Sequence, residues 1–591
     1  MKNHLLAAFQ KDDAMKELDI RALIEQKSPN FFTRKPRIIS KLLIAILEKI
    51  LHMSEVNEFL RAHDNVRGLA FIDEAFETLD FSYTLSHKDH NKIPAEGKLI
   101  IVANHPLGAL DGLSLLKAVS EVRPDVKIIA NDVLMYFENL ADYLIPYDVF
   151  SHKMKRIQMQ RIDQALAEEQ AIIFFAAAEV SRFGPKGIKD PPWLNGPVFF
   201  AKRHNVPILP VFFRAKNSFL FYLVSIIHKG FSTFLLPHEL FKKRGKNIRL
   251  VVGDPIPGVV FSSSYINTKT TTKLLRRHTY LVGRRRPGVF KTEKTIIHPV
   301  DRKVLKSELQ GSELLGETSD RKAIFLVRFE QAPRVMQEIA RLRELTFRRV
   351  GEGTGLRLDW DRFDRYYLHI VLWDEDALEI IGAYRVGNCQ EIVATHGVHG
   401  LYTHTLFRYQ EKARPILDKA MEMGRSFVQI KYWKSSALDY LWQGIGAYVA
   451  KHPEVKYLLG PVSISNSYTE EAKNLLVYFF KKWFPGDSSL APHVCPYVLS
   501  HKQLEELGRV LDGRDYREDY RKLKESLKIL GFTVPILYKQ YTDLCEEGGV
   551  EFIDFGIDKD FADCVDGLIL VKVDLLKESK RERYLKMTTQ K

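Results

Sequence analysis

The sequence predicts two successive domains, an α/β domain followed by an α+β domain. The chain has 591 residues, well past the ~250–300 at which a single hydrophobic core stops growing. Over 99–255 buried apolar runs alternate with helical segments, which is the α/β pattern. Over 262–273 the composition turns to Ser, Thr and Lys, and past Ala323 strands and helices resume in a different order.

In the first half, 99–103 reads as a buried strand, with later strands at 171–175 and 206–211 and a last one at 250–255 closed by a turn. The basic run over 276–294 suits a solvated face or a contact with an anionic surface. In the second half 324–327 reads as a strand and 334–348 as a helix with Val335, Ile339, Leu342 and Leu345 on its apolar side. A central strand is expected at 379–386, a helix at 414–423 and another strand at 426–430. No internal repeat links the halves.

Apolar residues make up 45% and charged residues 27%, which excludes disordered, collagen-like and disulfide-stapled classes. Lys and Arg number 88 against 74 Asp and Glu, a net charge of +14, so an anionic partner is favoured. Neither a helix-turn-helix nor a finger spacing nor an aromatic-interleaved basic motif is present, so nucleic acid is not expected. Cys389, Cys495, Cys545 and Cys564 are widely spaced, giving neither a zinc site nor a disulfide framework and favouring a reducing compartment.

The charged first thirty residues hold no signal-type apolar run. No stretch reaches the ~20 apolar residues of a spanning helix. Two shorter segments, 38–51 and 219–227, carry helical spacing that suits either membrane-interfacial helices or helices packed on their own domain.

The run Asn104-His105-Pro106-Leu107-Gly108-Ala109-Leu110-Asp111 leaves a buried strand and opens a helix, placing His105 and Asp111 where clefts form in α/β folds. A histidine beside a carboxylate is what removing a proton from a hydroxyl needs; the alternative is a turn histidine and a helix cap. The segment resembles the His/Asp block of the glycerolipid acyltransferase family. The resemblance continues through 175–182, 193–196, 206–211 and 217–218, and covers 66–257. In that family 175–182 reads F-P-A-G-E-V-S-R, with Pro and Gly where this chain has Ala176 and Ala178. Alanine adopts a positive φ only at a cost. Glu179, Ser181 and Arg182 match, with Arg182 expected as the anion contact.

The second half carries blocks at 341–347, 352–355, 359–364, 382–385 and 422–426, with later ones at 441–445, 457–466 and 538–561. Their order resembles the amino-acid N-acyltransferases of ornithine-lipid and related aminolipid synthesis and, more distantly, the homoserine-lactone synthases. The likeness covers 323–571. An amine acceptor must lose a proton before attacking a thioester, and Glu422 is the candidate to take it, or else an exposed helix-end carboxylate. Asp361 and Asp364, three apart, suit an amine-bearing substrate or form a capping or solvated pair. Arg343, Arg385 and Arg425 suit the acceptor carboxylate, a phosphopantetheine arm or internal acids.

The resemblance implies an α/β acyltransferase domain plus an α+β acetyltransferase-like (homoserine-lactone-synthase-like) domain. The expected boundaries are 1–64 (helical, interfacial), 65–258 (O-acyltransferase), 259–322 (basic linker) and 323–591 (N-acyltransferase). It also implies a bifunctional aminolipid synthase. The second domain would transfer a 3-hydroxyacyl group from acyl carrier protein to an amino acid, ornithine favoured, and the first would esterify the 3-hydroxyl. Neither a metal nor a bound cofactor is expected. The expected partners are acyl carrier protein, the amino acid, the lyso-aminolipid and the inner face of the cytoplasmic membrane. The alternatives are a lysophospholipid acyltransferase and a non-catalytic, haemolysin-like membrane-binding protein.

Overall fold

The apolar runs of the first half are strands of one seven-stranded sheet in the computed structural model. These are β1 (Ser82–Leu85), β2 (Leu99–Ala103), β3 (Val126–Asn131), β4 (Leu144–Tyr147), β5 (Ala171–Phe174), β8 (Ile208–Arg214) and β9 (Asn247–Val252). Their order is β1-β9-β8-β2-β5-β3-β4. Strands β8, β2, β5, β3 and β4 run parallel, and β9 opposes β8. Every side chain of β2 is buried. Leu99, Ile101 and Ala103 face one apolar cluster while Ile100 and Val102 face another, as expected for a sheet covered on both faces. A separate two-stranded ribbon joins β6 (Arg182–Gly184) to β7 (Gly187–Lys189).

The second half forms an eight-stranded sheet in the order β10-β11-β12-β13-β14-β15-β17-β16. Its strands are β10 (Glu313–Glu317), β11 (Ala323–Arg328), β12 (Leu368–Asp374), β13 (Glu379–Asn388), β14 (Ala420–Val428), β15 (Tyr457–Ile464), β16 (Val550–Asp558) and β17 (Cys564–Lys572). All neighbours are antiparallel except β14 and β15, which pair in parallel over three residues, Ala420 to Glu422 against Tyr457 to Leu459. The helix Pro333–Val350 packs Val335, Ile339 and Leu342 into a core with Val371 and Trp373 of β12.

The two sheets belong to two compact units, Met1–Thr295 and Ile296–Lys591. The structure describes residues 52–585 except 132–137, 148–151, 186, 228–231, 233–234 and 263–265, together with 44, 45 and 48–50. Most of the segment at 38–51 therefore lies outside the described residues. Among those described, no helix is long and apolar enough to cross a membrane.

Two expectations meet different structure. The stretch 259–322, read as a linker, holds the helix Thr268–Gly283, which buries Thr271, Thr272, Leu275, His278 and Thr279. It also holds the helix Arg302–Leu309 and β10. One of its basic residues is used internally: Arg285 forms two hydrogen bonds to the buried Asp89 at 2.8 and 2.5 Å. The helix expected at 414–423 stops at Leu417, and Ala420 begins β14. The Ala-Met-Glu-Met run favours helix locally, but pairing with β13 and β15 fixes it as a strand buried on both faces.

Candidate functional site

The chain leaves β2 at Ala103, and His105 follows at the carboxyl edge of the sheet, with its side chain 18% exposed. Asp111 lies in the first turn of the helix Ala109–Ser120. Its Oδ2 lies 3.1 Å from His105 Nδ1 and accepts the amides of Leu107 at 2.7 Å and Gly108 at 3.1 Å. Gly108 has φ +92°, a backbone that side chains resist, and this turn folds the loop back onto the carboxylate. Burial pushes the Asp111 carboxyl upward, against the pull of His105 and the two amides. The His105 ring packs on Phe175, with centroids 4.3 Å apart.

Ser181 and Arg182 hold this loop in different ways. The Ser181 amide donates to His105 O at 2.7 Å, and its hydroxyl donates to Asp190 Oδ1 at 2.5 Å. Asp190 also accepts the His105 amide at 3.2 Å and Trp193 Nε1 at 2.9 Å. Arg182 donates to the Ser232 hydroxyl and lies 3.4 Å from Glu179. Sequence reasoning missed Asp190; its one signal was an aspartate set before Pro191-Pro192. Ala178 adopts φ +56°, so the turn keeps a left-handed residue where glycine would be free of strain. A cavity of about 410 Å³ is lined by Asn104 and Pro106, the chain neighbours of His105, and by Ser181, Arg214, Lys216 and Tyr280.

In the second unit the expected arginines and aspartates meet one another. Arg343 grips Asp364 through two hydrogen bonds of 2.8 and 2.7 Å and lies 3.2 Å from Asp359. Arg385 donates to both oxygens of Asp361 at 2.7 Å and to Asp364 at 3.2 Å. Arg425 is 3.7 Å from Asp361 and 3.8 Å from Asp359. Internal acids are thus the partners of all three arginines. Asp361 also caps the turn Arg362–Arg365. Burial alone would raise Asp364, but Arg343 and then Arg385 outweigh it and hold the carboxyl far below the usual range. Burial lowers the neighbouring His369 to about 3, so it stays neutral.

Glu422 sits on β14, 2% exposed. It accepts the Tyr367 hydroxyl, the Thr403 amide at 2.6 Å and the Tyr402 amide at 3.2 Å, and burial raises it. Arg385 and Arg425 both lie over the Tyr402 ring, each 5.0 Å from its centroid. Tyr367, Tyr402, Thr403 and His369 were not expected from the sequence, while Asp359 lies in the block 359–364 without having been given a role there. Local pattern carries no signal for the other four. Arg425 adopts φ +49° at an irregularity where β14 shifts register against β13. This bulge turns its side chain toward Tyr402.

Comparison with known proteins agrees with this architecture. Residues 23–285 match an acyltransferase family, and residues 342–443 match the acetyltransferase (GNAT) domain. A glycine N(alpha)-acyltransferase of Bacteroides thetaiotaomicron is 33% identical over 303 residues, covering 49% of this chain and 89% of that protein. A lyso-glycine lipid O-acyltransferase of Phocaeicola vulgatus is 28% identical over 260 residues, covering 43% of this chain and 91% of that protein. An L-ornithine N(alpha)-acyltransferase of Brucella abortus is 29% identical over 123 residues, covering 18% of this chain and 43% of that protein. On these matches the chain belongs to the glycine N(alpha)-acyltransferase family and is an acyltransferase joining an acyltransferase domain to an acetyltransferase-like (GNAT) domain in one polypeptide.

Proposed function

We propose that the chain makes a diacylated aminolipid in two steps. The Ile296–Lys591 unit transfers a 3-hydroxyacyl group from a thioester on acyl carrier protein to the α-amino group of an amino acid. The Met1–Thr295 unit then esterifies the new 3-hydroxyl with a second acyl chain. The main support is the His105–Asp111 contact of 3.1 Å, together with a cavity lined by the neighbouring Asn104 and Pro106 and by Arg214 and Lys216. The hydroxyl gives its proton to His105 Nε2 as its oxygen attacks the thioester carbonyl, and Asp111 steadies the imidazolium that forms. The proton then leaves with the departing thiol. Arg214 and Lys216 suit the acceptor's free carboxylate.

In the N-acylating unit the β14–β15 ladder ends after Glu422 and Leu459, and the strand backbones beyond it suit an extended thioester arm. Glu422, expected to take the amine's proton, already accepts three donors. We assign it to holding Tyr402 and Thr403 against Arg385 and Arg425. A net charge of +14 complements an acidic carrier protein.

Glycine is the first acceptor to consider, because the relatives matched along most of their length carry glycine names. Ornithine, favoured from the sequence, is the second, supported by the shorter Brucella match. The helix Phe219–Ile227 buries Phe221 and Tyr222 and exposes Phe219 at 82%, Ile226 at 62% and Ile227 at 77%. Tyr222 accepts the Asn217 amide, and Asn217 donates to Pro106 O at 3.0 Å, tying the helix to the His105 loop. We place its apolar face at the inner surface of the cytoplasmic membrane, where a lyso-lipid acceptor resides.

Lipid mass spectrometry of a host lacking aminolipids tests this. Wild type yields a diacylated aminolipid. His105→Ala slows O-acylation by ~10²–10⁴-fold, so the monoacyl form accumulates. A diacyl product from His105→Ala would sink the assigned base. An acylated lysophospholipid with no aminolipid would select a lysophospholipid acyltransferase instead, and vesicle binding without turnover a haemolysin-like protein.

A further inference from the structure

Among the buried polar atoms of the second unit that have no hydrogen-bond partner among the described residues are Arg385 Nη2 and Asp566 Oδ1, both of charged groups. Such atoms are costly unless a ligand or water completes them. Asp566 stands on β17, opposite Ser463 of β15 and Gly556 of β16, and is 2% exposed. The Ser463 hydroxyl is its one side-chain hydrogen bond. Arg425 faces it from β14 and Asp558 from β16. Glu352 faces it from the turn after the helix Pro333–Val350, Tyr402 from its loop, Tyr538 from the helix Ile536–Thr542 and Cys564 from β17 itself.

Two buried carboxyl groups, Asp558 and Asp566, thus lie within the field of Arg425, with the half-buried Glu352 next to Asp566. Burial, reinforced for Glu352 by Asp566 and for Asp566 by Asp558, raises both Glu352 and Asp566 to about 7. Protons stand in for a positive charge that the protein does not supply. An incoming cation would displace them.

We propose that Asp566, with Glu352 and Asp558 beside it, receives the ammonium group of the amino-acid acceptor while Arg425 and Arg385 meet its carboxylate, an assignment that rests on the N-acylation reading above. The ammonium passes one proton to the Asp566 carboxylate, leaving a neutral amine and a neutral carboxyl. The amine lone pair forms the C–N bond to the thioester carbonyl, the C–S bond breaks, and the thiolate takes the second amine proton as it leaves as thiol. A carboxyl that titrates near neutrality is matched to that first transfer. Glu422, occupied by its three donors, is not.

The test is steady-state N-acylation of glycine by the full chain with an acyl carrier protein thioester, followed by mass spectrometry from about pH 6 to 9. Wild type is expected to show an acid limb in kcat/KM near the value of about 7 carried by Asp566. Asp566→Asn is expected to lose that limb and to lower kcat/KM for glycine by ~10²-fold. Its melting temperature should not fall, because Asp566 Oδ1 has no partner to lose and an Asn carbonyl can still accept the Ser463 hydroxyl. Asp566→Glu should restore part of the rate. An Asn variant that keeps the limb, with a glycine KM within about twofold of wild type, overturns the assignment. If wild type acylates no amino acid at all, the N-acylation reading itself fails; a normal Asn variant in an active chain sinks Asp566 alone.

Discussion

In the first unit one buried carboxylate, Asp111, serves one imidazole and two amides. In the second, Arg343, Arg385 and Arg425 share their site with Asp359, Asp361 and Asp364, while Glu352 and Asp566 titrate near neutrality close by. The contrast follows the nucleophiles proposed for them. A hydroxyl arrives neutral and gives up its proton only as it attacks, so a single base at a sheet edge suffices. An amino acid arrives as a zwitterion, so its site must meet both charges and still take a proton before reaction.

The largest break in this comparison comes from removing one member of the buried network. Asp364→Asn leaves Arg343 without its two-point partner and is expected to cost about 3–5 kcal/mol. Two-transition denaturant unfolding should show the loss in the Ile296–Lys591 unit. An unchanged second transition would mean that the network does not stabilise the fold.

A smaller effect concerns pH. Glu352 and Asp566 ordinarily titrate at 4.5 and 3.8 but are held at about 7 in the folded unit. Between those values the folded unit keeps protons that the unfolded chain has released, so raising the pH withdraws stability. That contribution is complete below the ordinary values and gone above about 7. Asp364 acts in reverse: its depressed titration contributes stability that is lost on acidification. Denaturation midpoints of the second unit near pH 5 and 7.5 should therefore draw closer in Asp566→Asn than in wild type, by on the order of 1 kcal/mol. Equal gaps would contradict the raised Asp566.

The smallest effect lies in the first unit. Ala178 holds φ +56°, a conformation that costs an alanine about 1 kcal/mol. Ala178→Gly should raise the stability of the Met1–Thr295 unit by about that amount, read as a shift in the first transition alone. A loss of stability would mean that the alanine methyl packs to advantage.

The two sites were legible to different degrees. His105 and Asp111 lie six positions apart, on the edge of a run of five apolar residues, so one short stretch held both the element and the chemistry. Arg343, Asp361, Asp364, Arg385 and Arg425 were visible as residue types, but their pairing was not. Asp361 and Asp364 read equally as substrate contacts, and only the packing of the helix Pro333–Val350 near β13 and β14 brings Arg343 and Arg385 onto them. For Glu422, the candidate to take the amine's proton, the alternative of an exposed helix-end carboxylate fails because it is buried on β14, whose ladder overrides the helical preference of Ala-Met-Glu-Met.

The sequence by itself determined the α/β and α+β architectures, the positions of several strands and the His105–Asp111 couple. Each of these rests on interactions between near neighbours: apolar period, turn residues and a short loop closing on a helix N-terminus. Only the tertiary structure decided the strand identity of β14, the closed arginine–aspartate network and the meeting of Glu352, Asp558 and Asp566. Those depend on strands that pair across long stretches of chain and on the balance of desolvation against opposite charge, which burial alone sets.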